Sequence, residues 1–333
     1  MSTTRRITAE DLQGSRPAAS ISLTGAGVTR SAKAIRIRHN RQERLFHADI
    51  ACFCDLGPDQ KGVHMSRFEE TVNEAIDEVV LGEALRIEVL AEHIAQRIVE
   101  RQRALRSEVT INASYPVEKR TPVTDIATQE MYGLIGVAVA DRAASRRIVG
   151  VTAQGMNACP CAQGLIAAQA TEDLREDGFS DDEIARIVGI VPIATHNQRA
   201  RGTLYVGSPD DRSIDADALL EIVEDGMSSE IYELMKRPDE QYVVDRAHRR
   251  PRFVEDSVRE MIRGVTERFP DLPADAFVHA HQANFETIHT HDVEAQRSGL
   301  LGEIRSEMAG EGRTERHQTL RGWLDGACPG RRA

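Results

Sequence analysis

An α+β protein built from two tandem units is the fold class that this sequence predicts, and three observations predict it. Short segments in which apolar and polar residues alternate mark strands, and longer stretches with apolar residues three and four apart mark helices. The order strands, two helices, strands occurs twice along the 333 residues. A chain of that length suits about two domains, and 41% hydrophobic content supplies a sizeable core.

In the first half, residues 34–38 and 45–50 alternate and read as strands. A helical region runs from Ser66 to about Arg103, with Ser66 and Glu69 forming a capping box at its start. Gly82 separates that helix from a second one, whose apolar face carries Leu85, Val89, Ile94 and Ile98. Strand patterns return at 108–112 and 131–139. In the second half, 147–153 and 202–206 read as strands, 215–236 and 253–269 as helices, and 276–281 and 292–295 as closing strands. The resulting division is an N-terminal extension over 1–29, a first unit over 30–141 and a second over 142–309. The second unit carries most of the chemistry-bearing motifs and an acidic, helical surface insertion at about 170–190, where Ser180 and Glu183 form another capping box. The Gly- and Arg-rich stretch 310–333 is expected to be a mobile tail.

A formal charge of −11 argues against broad attraction to nucleic acid, and 4% aromatic residues leave few stacking platforms for single strands. A local basic pocket for a phosphorylated small molecule remains compatible with that charge. No apolar run in the first thirty residues suits a signal peptide, and no stretch is long enough to span a bilayer, so a cytoplasmic protein without a membrane partner is expected. Five cysteines (Cys52, Cys54, Cys159, Cys161 and Cys328) make no disulfide framework and point to free or metal-bound thiols.

Chemistry concentrates at Cys159-Pro160-Cys161. Thiols two residues apart rarely close a disulfide without strain, whereas a thiolate beside a metal needs no partner thiol. Two later clusters supply companion ligands: Thr195-His196-Asn197-Gln198-Arg199, and Phe285-Glu286-Thr287-Ile288-His289-Thr290-His291-Asp292. A mixed Cys, His and carboxylate set suits zinc or ferrous iron better than calcium or magnesium. The His289/His291 pair is itself a possible pair of ligands. Cys52 and Cys54 repeat the Cys-x-Cys spacing on a predicted strand and are expected in the core, and His279 and His281 are expected to be structural.

These motifs, taken in order, resemble the prokaryotic metal-dependent GTP cyclohydrolases: the type IB folate enzyme and, more closely, the archaeal methanopterin type. Carrying the resemblance are Ser15-Arg16-Pro17, Gly27-Val28-Thr29, Gln60-Lys61-Gly62-Val63-His64-Met65-Ser66-Arg67 and the Cys159 and His196 stretches. Lys236-Arg237-Pro238-Asp239-Glu240, Phe253-Val254-Glu255-Asp256 and the 286–292 cluster complete it. Gly155-Met156 ahead of Cys159 and Arg199-Ala200-Arg201-Gly202 after His196 lean toward the archaeal type.

The resemblance implies the tunnelling fold (T-fold), in which antiparallel sheets with helix pairs assemble into barrels. It also implies a homo-oligomer, expected to be a tetramer, with active sites where subunits meet. It makes Cys159, His196 and Glu240 the ligands of one divalent transition metal per subunit, ferrous iron first, with zinc and manganese as alternatives. Glu255 becomes the carboxylate that anchors guanine, joined in substrate binding by Lys61, His64, Arg67 and Arg199, of which the basic Lys61, Arg67 and Arg199 are candidates for the triphosphate. Cys161, Glu286, His289 and His291 fall around the reacting ring as catalytic groups. The implied reaction is attack of a metal-activated water on guanine C8, opening of the imidazole ring and release of formate. The product is a dihydroneopterin phosphate, either the triphosphate or the 2′,3′-cyclic phosphate. Two other readings are a metal-free thiol enzyme of the same fold, similar to the nitrile reductases of deazapurine metabolism, and a non-catalytic purine-binding oligomer.

Overall fold

The computed structural model describes residues 12–39, 42–79, 86–210 and 212–326. Along the chain the elements are β1 (Leu23–His39), β2 (Gln42–Leu56), α1 (Met65–Val79), α2 (Ile87–Gln102), β3 (Arg106–Arg120), β4 (Ala127–Asp141) and β5 (Ser145–Ala158). They continue with α3 (Pro160–Glu176), α4 (Asp181–Ile190), β6 (Asn197–Gly207), α5 (Ala216–Gly226), β7 (Ser229–Glu230), α6 (Arg237–Arg249) and α7 (Val254–Arg268). The last are β8 (Phe277–Asn284), β9 (Val293–Leu300), α8 (Leu301–Met308) and α9 (Leu320–Asp325). Strands and helices in this mixture make the protein α+β, as expected, with the paired strands antiparallel. No helix among the described residues is long and apolar enough to cross a membrane.

Two compact units divide the chain. The first comprises residues 1–113, 135–148 and 321–333; the second comprises 114–134 and 149–320.

In the first unit, β2 lies between β1 and the start of β3, in the registers Ala34↔His47 and Ile50↔Ile111. Strand alternation puts Ile50, Cys52 and Cys54 on one face, where all are buried with Ile111 and Val109. Gly27 belongs there for a steric reason: a Cβ would lie 1.8 Å from the Cys52 carbonyl oxygen. α1 begins at Met65, and Glu69 accepts from Lys33 Nζ at 2.7 Å, so the expected capping box does not start the helix. An ion pair to β1 outcompetes a local cap for that carboxylate. α2 buries Ile87, Leu90, Ala91, Ile94 and Ile98. Val89 is only half-buried, while Gly82 and Leu85 lie outside the described residues. Part of the expected mobile tail is folded: in α9 Trp323 and Leu324 are buried, and the Arg146 guanidinium lies 4.6 Å from the Trp323 ring centre. Cys328 falls outside the described residues.

In the second unit, β5, β6, β8 and β9 pair in that order, with Val151↔Leu204, Leu204↔Ala280 and Ala280↔Arg297 in register. One sheet face is apolar through Val151, Ala153, Leu204, Val206, Val278 and Ala280. The amphipathic helices α5 and α7 supply Leu219, Val223, Met261 and Val265 to the same core. The opposite face carries Thr203, Tyr205, His279 and His281, all half-buried. His279 Nδ1 lies 2.6 Å from Ser298 Oγ and His281 Nε2 lies 3.1 Å from Glu294. The insertion forms the helices α3 and α4, and the Ser180–Glu183 capping box is present.

The single helix expected over 215–236 is broken. α5 stops at Gly226, where a Cβ would come within 2.8 Å of Met261. The chain then pairs with β5 through Gly155↔Glu230, and a helix not expected from the sequence, α6, begins with Pro238 in its first turn. The buried Asp239 tethers that helix by accepting from the backbone N–H groups of Val123, Thr124 and Lys236.

Candidate active site

Three polypeptide junctions in the second unit build the site: the end of β5 running into α3, the start of β6, and the loop between β8 and β9. Cys159 is the N-cap of α3, and its sulfur accepts from Ala162 N at 3.5 Å, with Pro160 in the first turn. Its backbone N–H donates to the His196 carbonyl at 3.1 Å, and Thr195 Oγ1 donates to the Cys159 carbonyl at 2.7 Å. Those two bonds hold the Cys159 and His196 backbones side by side. The β8–β9 loop is fastened to β6 through Phe285 N to Arg199 O and Thr287 Oγ1 to Asn197 O.

A cleft of about 430 Å³ opens among these junctions and the start of α7. It gathers six of the residues singled out above: Cys159, His196, Glu255, Glu286, His289 and His291. His196 and Glu286, both half-buried, belong to its lining, with Nδ1 3.6 Å from Glu286 Oε2 and side chains only 12% and 6% exposed. The His289 ring stands edge-on to His196 at 6.5 Å and stacks on His291 at 5.1 Å. Both of those histidines are exposed, as is Glu255 on the first turn of α7. Arg252 also lines the cleft and pairs with Glu260. Burial, reinforced by nearby Arg250, lowers its guanidinium from the usual value.

Other expected site residues stand apart from the cleft lining. Cys161 is exposed on the first turn of α3, Glu240 is exposed on α6, and Arg199 is exposed on β6. Lys61, His64 and Arg67 belong to the first unit. There Lys61 N donates to Ser15 O, Gln102 Nε2 donates to the His64 carbonyl, and Arg67 reaches the Arg101 carbonyl.

A buried polar network that reaches the cleft lining through Asn284 was not expected from the sequence. Asn157 Nδ2 donates to Ser257 Oγ and to Asn284 Oδ1, each at 3.0 Å, while Asn157 Oδ1 accepts from Ser228 N at 2.9 Å. All four residues are buried. Asn157, Ser257 and Asn284 lie two residues from Cys159, Glu255 and Glu286 respectively, so one fully bonded amide ties together the three segments that carry those side chains. In sequence these residues were indistinguishable from surface polar positions. Their one signal is parity: Asn157 and Asn284 fall on the strand positions that elsewhere hold apolar core residues.

The donor chemistry of the cleft fits a borderline divalent metal. A thiol and imidazoles stand with Glu286 Oε2, a buried carboxylate oxygen without a hydrogen-bond partner among the described residues. No three Cys, His, Asp or Glu side chains among the described residues already form a metal-holding group.

Comparisons with known proteins agree with the family resemblance carried by the sequence motifs. Residues 9–295 match the family model described as type I GTP cyclohydrolase folE2. GTP cyclohydrolase MptA of Methanococcus aeolicus is 40% identical over 305 residues, covering 90% of this chain and 99% of that protein. The MptA of Methanocaldococcus jannaschii is 38% identical over 304 residues, covering 90% and 97%. Among solved structures, a hyper-thermostable AgUricase mutant superposes with a TM-score of 0.50 at 10% identity, covering 84% of this chain and 92% of that one. That last likeness concerns the fold alone and is to a T-fold-like protein. With a family model spanning most of its length and relatives matched nearly end to end, the chain belongs to the type I GTP cyclohydrolases and is of their archaeal methanopterin type.

Proposed function

We propose that this member of the GTP cyclohydrolase family opens the imidazole ring of guanine in the Cys159–His196–Glu286 cleft, releasing formate and leaving a 7,8-dihydroneopterin phosphate. The observation that carries the reading is the convergence of Cys159, His196, Glu286, His289 and His291 with Glu255 on one cleft. Glu255, projecting from the first turn of α7, accepts hydrogen bonds from guanine N1–H and the exocyclic amine, a pairing that adenine does not offer. The exposed, stacked His289 and His291 move protons as the ring opens, since histidine exchanges protons readily near neutral pH. Similarity to the archaeal type favours the 2′,3′-cyclic phosphate over the triphosphate.

Cys159 and His196 would hold a divalent transition metal, ferrous iron first and zinc or manganese otherwise. For the third ligand the family pattern offers Glu240, which is exposed on α6; Glu286 stands beside His196 on its Nδ1 side. When bound, such a metal supplies Lewis acidity that lowers the pKa of water toward neutrality. Lys61, Arg67 and Arg199 are the proposed partners of the phosphates, His64 joins them in substrate binding, and Cys161 acts near the ring. A homo-oligomer with barrels of the tunnelling fold, a tetramer with sites between subunits, completes the proposal.

Anaerobic incubation of chelated protein with GTP and ferrous, manganous or zinc ions, with formate and pterins identified by mass, tests it. Turnover returning only with metal is expected; full turnover with no residual metal sinks the metal-dependent reading. Glu255→Gln presents a donor where an acceptor is required and is expected to weaken GTP binding by about 1–3 kcal/mol or more with bound metal unchanged. Normal GTP affinity in that variant removes Glu255 from the role of base anchor.

A further inference from the structure

We infer that Gln198 is a positioning residue that fixes the tautomer of His196, protonating it at Nδ1 and reserving the Nε2 lone pair for a metal ion or a proton. Gln198 is 5% exposed and lies on β6 in the column of buried positions that also holds Ala200, Gly202 and Leu204. An amide buried there is costly unless both of its ends are hydrogen-bonded. Both are: Nε2 donates to Glu286 Oε1 at 3.1 Å, and Oε1 lies 3.1 Å from His196 Nδ1.

The direction of this chain follows from donor and acceptor inventory. The NH2 end of the amide donates to Glu286 Oε1, so its carbonyl oxygen, which only accepts, faces the imidazole. A neutral imidazole meets a facing acceptor by carrying its hydrogen on that nitrogen. Glu286 Oε2, 3.6 Å from the same Nδ1, is a second acceptor urging the same choice. The other ring nitrogen, Nε2, is therefore the basic one. Ligating histidines are held in this manner by partners on their far nitrogen, whose loss costs roughly 10–100-fold in metal affinity. Glu286 thus acts on His196 both across space and through Gln198, although the two residues are far apart in sequence. The inference rests on the reading that His196 serves the reaction, but the hydrogen-bond arrangement is measurable without turnover.

The test begins with the wild-type chain, metal-free and labelled with 15N-histidine, at alkaline pH. Two-bond proton–nitrogen correlation spectra, assigned by the signal lost in His196→Asn, are expected to show His196 as the Nδ1–H tautomer. Gln198→Met removes both bonds and is expected to shift His196 toward the Nε2–H form that free histidine favours. Zinc affinity, measured by competition with a chromogenic chelator, falls about 10–100-fold in that variant. Gln198→Glu keeps an acceptor facing His196 and retains the Nδ1–H form. A wild-type His196 protonated at Nε2, or a tautomer unmoved in folded Gln198→Met, overturns the inference. The expected tautomer combined with undiminished GTP turnover in His196→Ala overturns instead the assigned role of His196.

Discussion

Two Cys-x-Cys pairs with the same spacing stand in opposite surroundings. Cys52 and Cys54 lie within β2, 0% and 2% exposed. Burial pushes both thiols up to about 12, with Glu69 adding to the effect at Cys52 and Asp55 at Cys54. Such thiols stay protonated and inert at neutral pH. Cys159 and Cys161 flank Pro160 where β5 gives way to α3; the first is half-buried at the cleft and the second is exposed. In β2 the strand continues through both positions, and its two-residue period sends both side chains into one core. At Pro160 the backbone changes from strand to helix, so its two neighbours face different surroundings. Spacing alone does not distinguish a pair of core thiols from a site.

The largest expected effect contrasts the pairs directly. Cys159→Ser is predicted to lose metal and GTP turnover together, by more than the roughly 10–100-fold that follows loss of an outer partner of a metal ligand. Metal analysis and formate release measure both, and a variant that keeps both would place Cys159 with Cys52 as a packing residue. Cys52→Ser inverts the expectation: a hydroxyl buried without a partner costs about 1–3 kcal/mol of stability, read from the denaturant midpoint, while metal content per folded chain is unchanged. Cys161→Ser sharpens the comparison within the second pair. Exposed and off the cleft lining, it is expected to keep its metal and slow turnover by about tenfold or less, at or below the lower end of outer-partner effects; equal metal loss in both serine variants would end the distinction.

The smallest effect is a pH dependence. The unfolded thiols ionise from a value of 9.0, whereas folded Cys52 and Cys54 hold their protons to about 12. Between those values the unfolded chain binds fewer protons than the folded one, so stability falls as pH rises. Their contribution is complete below pH 9 and is lost toward pH 12. Melting temperature followed over that range is expected to fall less steeply in Cys52→Ala than in the wild type; parallel curves would show that the buried pair does not titrate as its environment dictates.

Much of the fold was legible in local pattern. The strands around 34–38, 45–50 and 202–206 lie inside β1, β2 and β6, and the helix expected over 253–269 is α7 to within a residue at each end. Misses arose where long-range contacts overruled local preference. Glu69 left a capping box for Lys33, and the chain after Gly226 left a helix to pair with β5. The Lys236–Glu240 stretch, noticed only as a motif, opens α6, with buried Asp239 as its tether. At the site, the clusters containing Cys159, His196 and Glu286 were visible; Gln198 lay inside the His196 cluster without a role of its own, Asn157 and Asn284 showed only the parity of their strand positions, and Ser257 carried no sign.

By itself the sequence determined family membership, the alternation that makes strands and the positions of the chemistry-bearing clusters, because each of these is written in local order and periodicity. Only tertiary structure decided that Cys159 lines the cleft while Cys161 lies off it, that Glu286 stands beside His196, and which end of Gln198 faces which partner. The physical reason is distance along the chain. Asn157 meets Asn284 across 127 residues, and such a meeting depends on the registers of β5, β6 and β8, where a slip of one residue would turn every side chain to the other face.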